Sequence, residues 1–374
     1  MINQKIGLLG GGQLGRMLIQ KGLDLNLQFS VLDPDPNAPC STLAPFAVGK
    51  LTDFDAVMQF GSSCDIITIE IENVNTAALK KLEQLGKKVY PQPSVIETIQ
   101  DKRIQKKFFA DHGIPTSDFV LTENREDVRK HLNRLPAVHK LGREGYDGRG
   151  VQVLKSEKDL PAAFDAPGLL EKFVDFENEI SVIVARNESG DVACFPAVEM
   201  SFHPDANLVE HIFSPAKISP ALAAEAELVA RKLVKELDMI GLLAVEMFIT
   251  KNGMILVNEI APRPHNSGHQ TIEGNATSQY EQHLRAILNL PLGDTSVLHP
   301  SAMVNLLGAP GHDGPAKYLG IEKILKMEGV HVHLYGKKLT RPFRKMGHVT
   351  IVDNDIESLK KKVNFVKSNL KIVS

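Results

Sequence analysis

Two glutamates in the stretch AVEMFITKNGMILVNEI are spaced so that their carboxylates could hold a metal ion. Asn252-Gly253 between two apolar runs signals a β-hairpin with a two-residue type I′ turn. Counting outward from that turn sets Lys251 against Met254, Phe248 against Val257 and Glu246 against Glu259. Opposed side chains in an antiparallel pair have β-carbons roughly 4.5–5.5 Å apart, a separation at which like charges repel. On a solvated face, water and nearby lysines would relieve the repulsion. Here Ala244, Val245, Met247, Phe248, Val257 and Ile260 make at least one face of the hairpin apolar. Two carboxylates in such a setting suit a hard divalent cation, and Mg²⁺ in particular binds through one or two carboxylates plus phosphate oxygens.

Anion chemistry is written on both sides of this hairpin. APRPHNSGHQT follows it, and Pro262 and Pro264 keep Arg263, His265, Asn266, Ser267 and His269 out of a helix. Zinc is the rival reading of His265 and His269, but no third ligand accompanies them. Upstream, GREGYDGRG joins the strand-like runs PAVHK and VQVL. Its glycines free backbone N–H groups to wrap a phosphate and let the loop close as a lid, although a plain mobile hairpin tip has the same composition. It is no Walker A loop, since neither G-K-[ST] nor a helix follows. Lys140, at the strand end before it, is the fixed charge such a phosphate needs. In LLEKFVDFENE the main chain of residues 171–174 could read an adenine edge, with Glu179 accepting ribose hydroxyls.

The chain opens MINQKIGLLGGGQLGRM, in which Gly10, Gly12 and Gly15 form G-x-G-x-x-G after an apolar run. Asp33 closes the next strand-like run, QFSVLD, where an NAD enzyme places its ribose-binding acid. The competing reading is a tight strand-to-helix turn with close helix packing. An NAD-dependent dehydrogenase explains only this opening segment and leaves the glutamate pair idle.

The elements that must carry these residues follow from pattern. KIGLLG, QFSVLD, DIITIE and KKVY alternate with helical stretches over short links, which predicts a parallel, doubly wound sheet with ligands at its carboxyl edge. A charged helix, IETIQDKRIQKKFFADHGIP, then opens a second domain near residue 100. Strands, the helix LAAEAELVARKLVKELDMI and the glutamate hairpin come next, and a short-stranded basic tail ends the chain. The 374 residues, 43% of them hydrophobic, suffice for two or three domains. A net charge of −2, without blocks of like charge, gives no long-range pull toward nucleic acid or anionic lipid. There is no run of roughly 18 apolar residues, so no membrane span is expected. Cys40, Cys64 and Cys194 are odd in number and lack metal or disulfide spacing, which fits a reducing cytoplasm.

In chain order, GGGQLGRM, TIEIENV, the QDKR helix, GYDGRG, EKFVDFENE, the pair AVEMF and VNEIAPRPHNSGH, and RPFRKMGHV resemble the ATP-grasp carboxylate–amine ligases. Within them, PRPHNSGH and RKMGHV are similar to the 5-(carboxyamino)imidazole ribonucleotide synthases of purine biosynthesis. Biotin carboxylase and the formate-dependent glycinamide ribonucleotide transformylase share the fold with other substrate motifs, and such a sister ligase is the nearest alternative. The resemblance implies an α/β and α+β ATP-grasp protein. A doubly wound pre-ATP-grasp domain would span 1–98, an ATP-grasp domain 99–297 with a glycine-rich lid at about 118–180, and a small β-rich C-terminal domain 298–374.

The activity it implies is ATP-dependent carboxylation of aminoimidazole ribonucleotide with bicarbonate through carboxyphosphate, in a cytoplasmic homodimer. ATP would meet Arg103, Lys140, Gly145, Tyr146, Asp147, Gly148, Arg149, Gly150, Glu171, Lys172, Phe173, Val174, Glu179, Asn258 and Glu259. Glu246 and Glu259 would ligate Mg²⁺, and Arg263 and His265 would position bicarbonate. Gln13, Leu14, Glu72, Asn73, Asn266, Ser267, Arg341, Arg344 and Lys345 would surround the ribonucleotide, whose phosphate the opening glycines and their helix end could receive. The family's N-x-H element before the proline of SPAKIS is absent here, which leaves His203 and His211 without an assigned ATP contact.

Overall fold

The structure, a computed structural model, describes residues 4–143, 145, 150–203 and 208–374. Strands β1 (Lys5–Leu9), β2 (Gln28–Asp33), β3 (Phe46–Val48), β4 (Ile66–Ile69) and β5 (Lys88–Val89) form one parallel sheet in the order β3-β2-β1-β4-β5. The inner strands β1, β2 and β4 are buried along most of their length because both faces are covered, while the edge strand β3 is largely exposed. Ile6 and Leu8 pack with Leu14, Met17 and Leu18 of the helix Gln13–Leu23, while Leu9 packs with Val57 and Leu79 on the other side. The order changes direction at β1, so the chain ends leaving β1, β2 and β4 bring Gly10–Gly12, Asp33 and Glu70–Glu72 to one carboxyl edge.

The charged segment after this sheet is two helices, not the single one its pattern predicts. Pro93–Gln100 and Lys102–Asp111 meet at Asp101, whose backbone is extended (φ −122°, ψ 111°) and whose carboxylate caps the second helix at the Arg103 N–H. The first of these helices serves two cores, Ile96 facing the parallel sheet and Val95 with Ile99 facing the central domain.

Strands β6 (Phe119–Thr122), β7 (Ala137–Leu141), β8 (Val151–Leu154) and β9 (Gly168–Lys172) make a small antiparallel sheet, order β6-β9-β7-β8, over its own core of Val128, Ala137, Leu154, Leu160 and Leu170. The large antiparallel sheet contains β10 (Phe176–Arg186), β11 (Val192–Cys194), β12 (Val198–Phe202), β13 (Val209–Ser214), β14 (Gly241–Thr250), β15 (Ile255–Ala261) and β16 (Ser301–Leu307). It runs β15-β14-β10-β12-β13-β16 and continues into Lys345–Val352 and Val330–Leu334, with β11 beside β10. The C-terminal strands therefore extend the central sheet, and the helix Ile356–Asn369 covers them through Leu359, Val363 and Val366.

Alternation decides what each face of this sheet does. Ile180, Val182, Val184, Val245, Met247 and Ile249 point to the core under helix Pro220–Glu236. Glu179, Ser181 and Glu246 lie at the intervening positions and so share the opposite face.

Candidate active site

Glu246 pairs directly with Glu259 across β14 and β15, as the hairpin reading predicts, but the route to that register differs. The turn is a three-residue loop closed at Thr250 and Met254: Thr250 N–H donates to Met254 O at 2.9 Å and Gly253 N–H to Thr250 O at 2.8 Å. Gly253 takes φ +74°, and Asn252 does not adopt the positive φ of a type I′ turn. Phe248 accordingly faces Leu256 rather than Val257. A bulge between Glu246 and Met247 on one strand and Val257 and Glu259 on the other then absorbs Asn258 and restores the glutamate pair. The extra residue lets Val257 and Ile260 both face the core. It also turns Asn258 toward Lys140, whose Nζ donates to Asn258 Oδ1 at 2.9 Å.

The three carboxylates on this face are electrostatically unequal. Burial, then Glu259 and Glu179, pushes the Glu246 pKa well above the usual carboxylate range. Lys102, whose Nζ bonds Glu259 Oε2, holds Glu259 down at about 2. Glu179 is pushed up to about 8 by burial and by Glu259. These are hard oxygen donors with one cation, the Lys102 ammonium, already seated on them. Among the described residues no group of three or more His, Cys, Asp or Glu side chains is arranged to hold a metal. Two carboxylates completed by phosphate oxygens fit Mg²⁺ without such a group. The zinc reading of His265 and His269 does not fit, because His269 is buried with its Nδ1 3.0 Å from the Tyr280 hydroxyl and its ring against His348.

Two lysines that the sequence pattern does not single out, Lys102 and Lys106, join Lys140 in the floor of the site. The break at Asp101 starts the second helix so that Lys102 and Lys106 both enter it. Lys106, 2% exposed, lies 3.2 Å from Glu171 Oε1, and Lys140 lies 3.1 Å from Glu171 Oε2. Lys106 also bonds Thr116 and Ser117, and Ser117 donates to Glu171. Burial brings the Lys106 pKa down to about 8, against Glu171. Burial alone would raise Glu171, but Lys140 and Lys106 outweigh it and keep its carboxyl below the usual range. The spacing of two lysines one helical turn apart was the available signal for this cluster.

Several expected contacts are arranged differently. Arg103 is forked onto Asp101, with Nε and one terminal nitrogen 3.0 and 2.8 Å from its two oxygens, and Arg143 reaches the same carboxylate. Arg103 is thus held on Asp101, and Lys102 is the residue of this helix that reaches the glutamate pair. The Glu171 side chain binds Lys106 and Lys140, which leaves the adenine reading to the main chain of this segment, as expected. Lys172 and Phe173 N–H groups donate to Asp118 and Pro136 carbonyls, while among the described residues no hydrogen bond engages the Val174 N–H. Gly145 and Gly150 flank the glycine loop, and Gly150 has φ +72°. Tyr146, Asp147, Gly148 and Arg149 lie outside the described residues.

The segment after the hairpin forms the opposite wall. Ser267 donates its N–H to His265 Nδ1 at 3.3 Å, with its hydroxyl 2.9 Å away. Nδ1 is thus the acceptor, and in the neutral ring the proton sits on Nε2, 3.5 Å from Glu246 Oε1. Gln279 fixes the His265 backbone from both sides. Arg263 Nε lies 2.8 Å from Glu72 Oε1, joining this wall to the parallel-sheet domain. Gln13 opens the first helix, and Asn73 is exposed. Asn266 is buried and exchanges reciprocal amide bonds with Asn305 at 2.9 and 2.8 Å, so its side chain is committed to the protein rather than to substrate. In the tail, Arg344 bonds Leu339 O at 2.7 Å and Arg341 is exposed, whereas Lys345 acts on both Glu246 and His269.

The N–H groups of the glycine turn are taken by the chain's own carboxylates. Asp33 accepts the Gly11 N–H at 2.7 Å, and Glu70 accepts those of Gly12 and Leu14 at 3.0 and 3.2 Å. The Leu14 side chain is core. The acid expected on an NAD ribose is thus occupied within the turn.

Three family models match the chain. Residues 3–100 match the ribonucleotide synthetase preATP-grasp domain, 107–280 the ATP-grasp domain and 301–362 the phosphoribosylaminoimidazole carboxylase C-terminal domain. The N5-carboxyaminoimidazole ribonucleotide synthetase from Thermotoga maritima is 42% identical, with 99% of each chain covered and a TM-score of 0.91. The chain belongs to the N5-carboxyaminoimidazole ribonucleotide synthase family of ATP-grasp ligases. The family member from Aspergillus clavatus, solved in complex with ADP and 5-aminoimidazole ribonucleotide, is 34% identical over 98% of each chain, with a TM-score of 0.89. The phosphoribosylaminoimidazole carboxylase of Vigna aconitifolia, described as chloroplastic, is 39% identical over 98% of this chain, which spans 66% of that longer relative.

Proposed function

We propose that the protein carboxylates the exocyclic amine of 5-aminoimidazole ribonucleotide, using ATP and bicarbonate and releasing ADP and phosphate. The observation that carries this reading is the facing pair Glu246 and Glu259, with Lys102, Lys106 and Lys140 on one side and His265 and Arg263 on the other. One side suits nucleotide phosphates and the other a small anion. Family membership supports the choice of amine.

Lys140 and Lys102 receive ATP phosphates, Lys102 exchanging its bond to Glu259 for one to phosphate. Phe173, Val174 and Glu179 receive the nucleoside. Mg²⁺ bound by Glu246 and Glu259 would neutralise charge on the phosphates during transfer. Arg263, steadied by Glu72, and the Nε2–H of His265, steadied by Ser267, hold bicarbonate in line with the transferred phosphoryl group. Carboxyphosphate is a mixed anhydride that water destroys, so water must be kept from the site while it lasts. Gln13, Glu72 and Asn73 take the ribonucleotide's base and ribose, with Arg341, Arg344 and Lys345 on its phosphate.

The pre-ATP-grasp, ATP-grasp and C-terminal assignments 1–98, 99–297 and 298–374 belong to the same reading, as does a homodimer. No helix among the described residues is long and apolar enough to cross a membrane. The three cysteines are free and buried, which supports work in a reducing compartment such as the cytoplasm. ADP release with bicarbonate and aminoimidazole ribonucleotide, compared with glycinamide ribonucleotide and formate, tests the reading. Turnover with the first set only is expected; turnover with the second only would assign the chain to the sister ligases.

A further inference from the structure

A G-x-G-x-x-G turn ordinarily offers its N–H groups and helix dipole to a ligand's anion. Here the anion is part of the chain. Glu70 leaves β4 and places one carboxylate oxygen on the Gly12 N–H and the other on the Leu14 N–H, at the first turn of the helix Gln13–Leu23. The glycines make room for it. A β-carbon at Gly10, which has φ +104°, would lie 2.8 Å from Glu70 Oε2, and one at Gly12 would collide with the same carboxylate. Two residues further on, Glu72 grips Arg263 at 2.8 Å, and Arg263 also draws on the charge of Glu70. A phosphate dianion entering this turn would meet Glu70, Glu72 and Asp33 together.

We propose that Glu70 is a positioning residue for the ribonucleotide. Its carboxylate occupies the glycine turn in place of substrate phosphate, fixes Gln13 at the helix start, and holds the short link that presents Glu72 and Arg263 to the substrate. This rests on the functional reading above. The phosphate is thereby left to the basic residues of the tail, and the glycine motif serves the shape of the substrate site rather than the binding of an anion.

Initial rates of ADP release by the full chain test this, with aminoimidazole ribonucleotide and ATP varied separately in wild type, Glu70→Ala and Glu70→Gln. Losing a doubly bonded carboxylate should raise KM for the ribonucleotide in Glu70→Ala roughly tenfold while KM for ATP stays within about twofold. Acetate added at tens of millimolar, on the order of what a small-anion site needs, should refill the turn and recover most of that loss, leaving wild type unchanged. A ribonucleotide KM near the wild-type value overturns the proposal. So does a folded Glu70→Ala protein that loses activity without responding to acetate. If Glu70→Ala does not fold, Glu70→Gln decides: it keeps the volume but offers one acceptor oxygen to two N–H donors, so KM for the ribonucleotide must still rise, and an unchanged value overturns the proposal. Absence of ribonucleotide-dependent ADP release in wild type would count against the functional reading and not against the role of Glu70.

Discussion

Glu246 and Glu259 face each other across β14 and β15, and the Lys102 ammonium is bonded to Glu259. Lys102 compensates Glu259, whereas Glu246 is opposed by burial and by two other carboxylates. The two amide substitutions should therefore differ in stability and agree in function. Glu246→Gln should leave unfolding in urea unchanged or slightly later. Glu259→Gln strands Lys102 and should cost about 1 kcal/mol, a figure kept small because the Glu259 side chain is 41% exposed. Both should lower ADP release on the order of 100-fold, the scale expected when charge stabilisation at the transferring group is lost. Near-normal turnover in either variant would remove the pair from the site.

Lys140 touches Asn258 and Glu171 at the end of β7, beside the stem of the glycine loop. Lys140→Ala should raise KM for ATP about tenfold and leave KM for the ribonucleotide nearly unchanged, since a lost charge-assisted bond acts on the ligand that made it. Steady-state rates with each substrate varied in turn give both constants, and equal rises in the two would place Lys140 in the scaffold.

Arg344 belongs to the turn Arg341–Arg344, in which Phe343 has φ +62° and the Arg344 N–H returns to Arg341 O. Arg344→Ala should raise KM for aminoimidazole ribonucleotide and spare KM for ATP. The same measurement on Lys345→Ala should show a larger loss in kcat, because Lys345 acts on Glu246 as well.

His283 gives a pH signature of domain docking. It is fully buried, its Nε2 lies 2.9 Å from Thr68 Oγ1 of β4, and burial lowers its pKa to about 4. Above pH 6.5 the ring is neutral in both folded and unfolded chains and contributes no pH dependence. As pH falls from 6.5 to 4 the unfolded chain takes up the proton first, so folding stability drops across that window by about 3 kcal/mol. His283→Gln should flatten this slope relative to wild type in urea titrations between those values; parallel curves would show that the ring is protonated in the folded protein.

What the sequence made legible was the alternation of apolar positions. The parallel sheet and the covered faces of β10, β14 and β15 follow from it. The glutamate hairpin shows its limit: Asn252-Gly253 predicts a turn one residue shorter than the one formed, nothing in the pattern predicts the bulge at Asn258, and the two differences cancel at Glu246 and Glu259. A bulge has no composition of its own, so only its neighbours, Val257 and Ile260 both apolar three residues apart, hinted at it. The helix break at Asp101 was hidden for a similar reason. IETIQDKRIQKK keeps helical periodicity through the break, and the residue that ends one helix and caps the next is a common cap type in a charged run. The break sets Lys102 on Glu259 and Arg103 on Asp101. Glu70 was passed over because a carboxylate that binds its own chain at a helix N-terminus cannot be told from a surface acid until the fold brings β4 beside β1.

The most direct measurement of the central claim is the fate of carbon from ¹³C-labelled bicarbonate, followed by NMR together with ADP in the same reaction. The account predicts one labelled carbamate on the exocyclic nitrogen of aminoimidazole ribonucleotide for each ADP formed, with no ADP in the absence of either substrate. ADP released without label entering the ribonucleotide would contradict it.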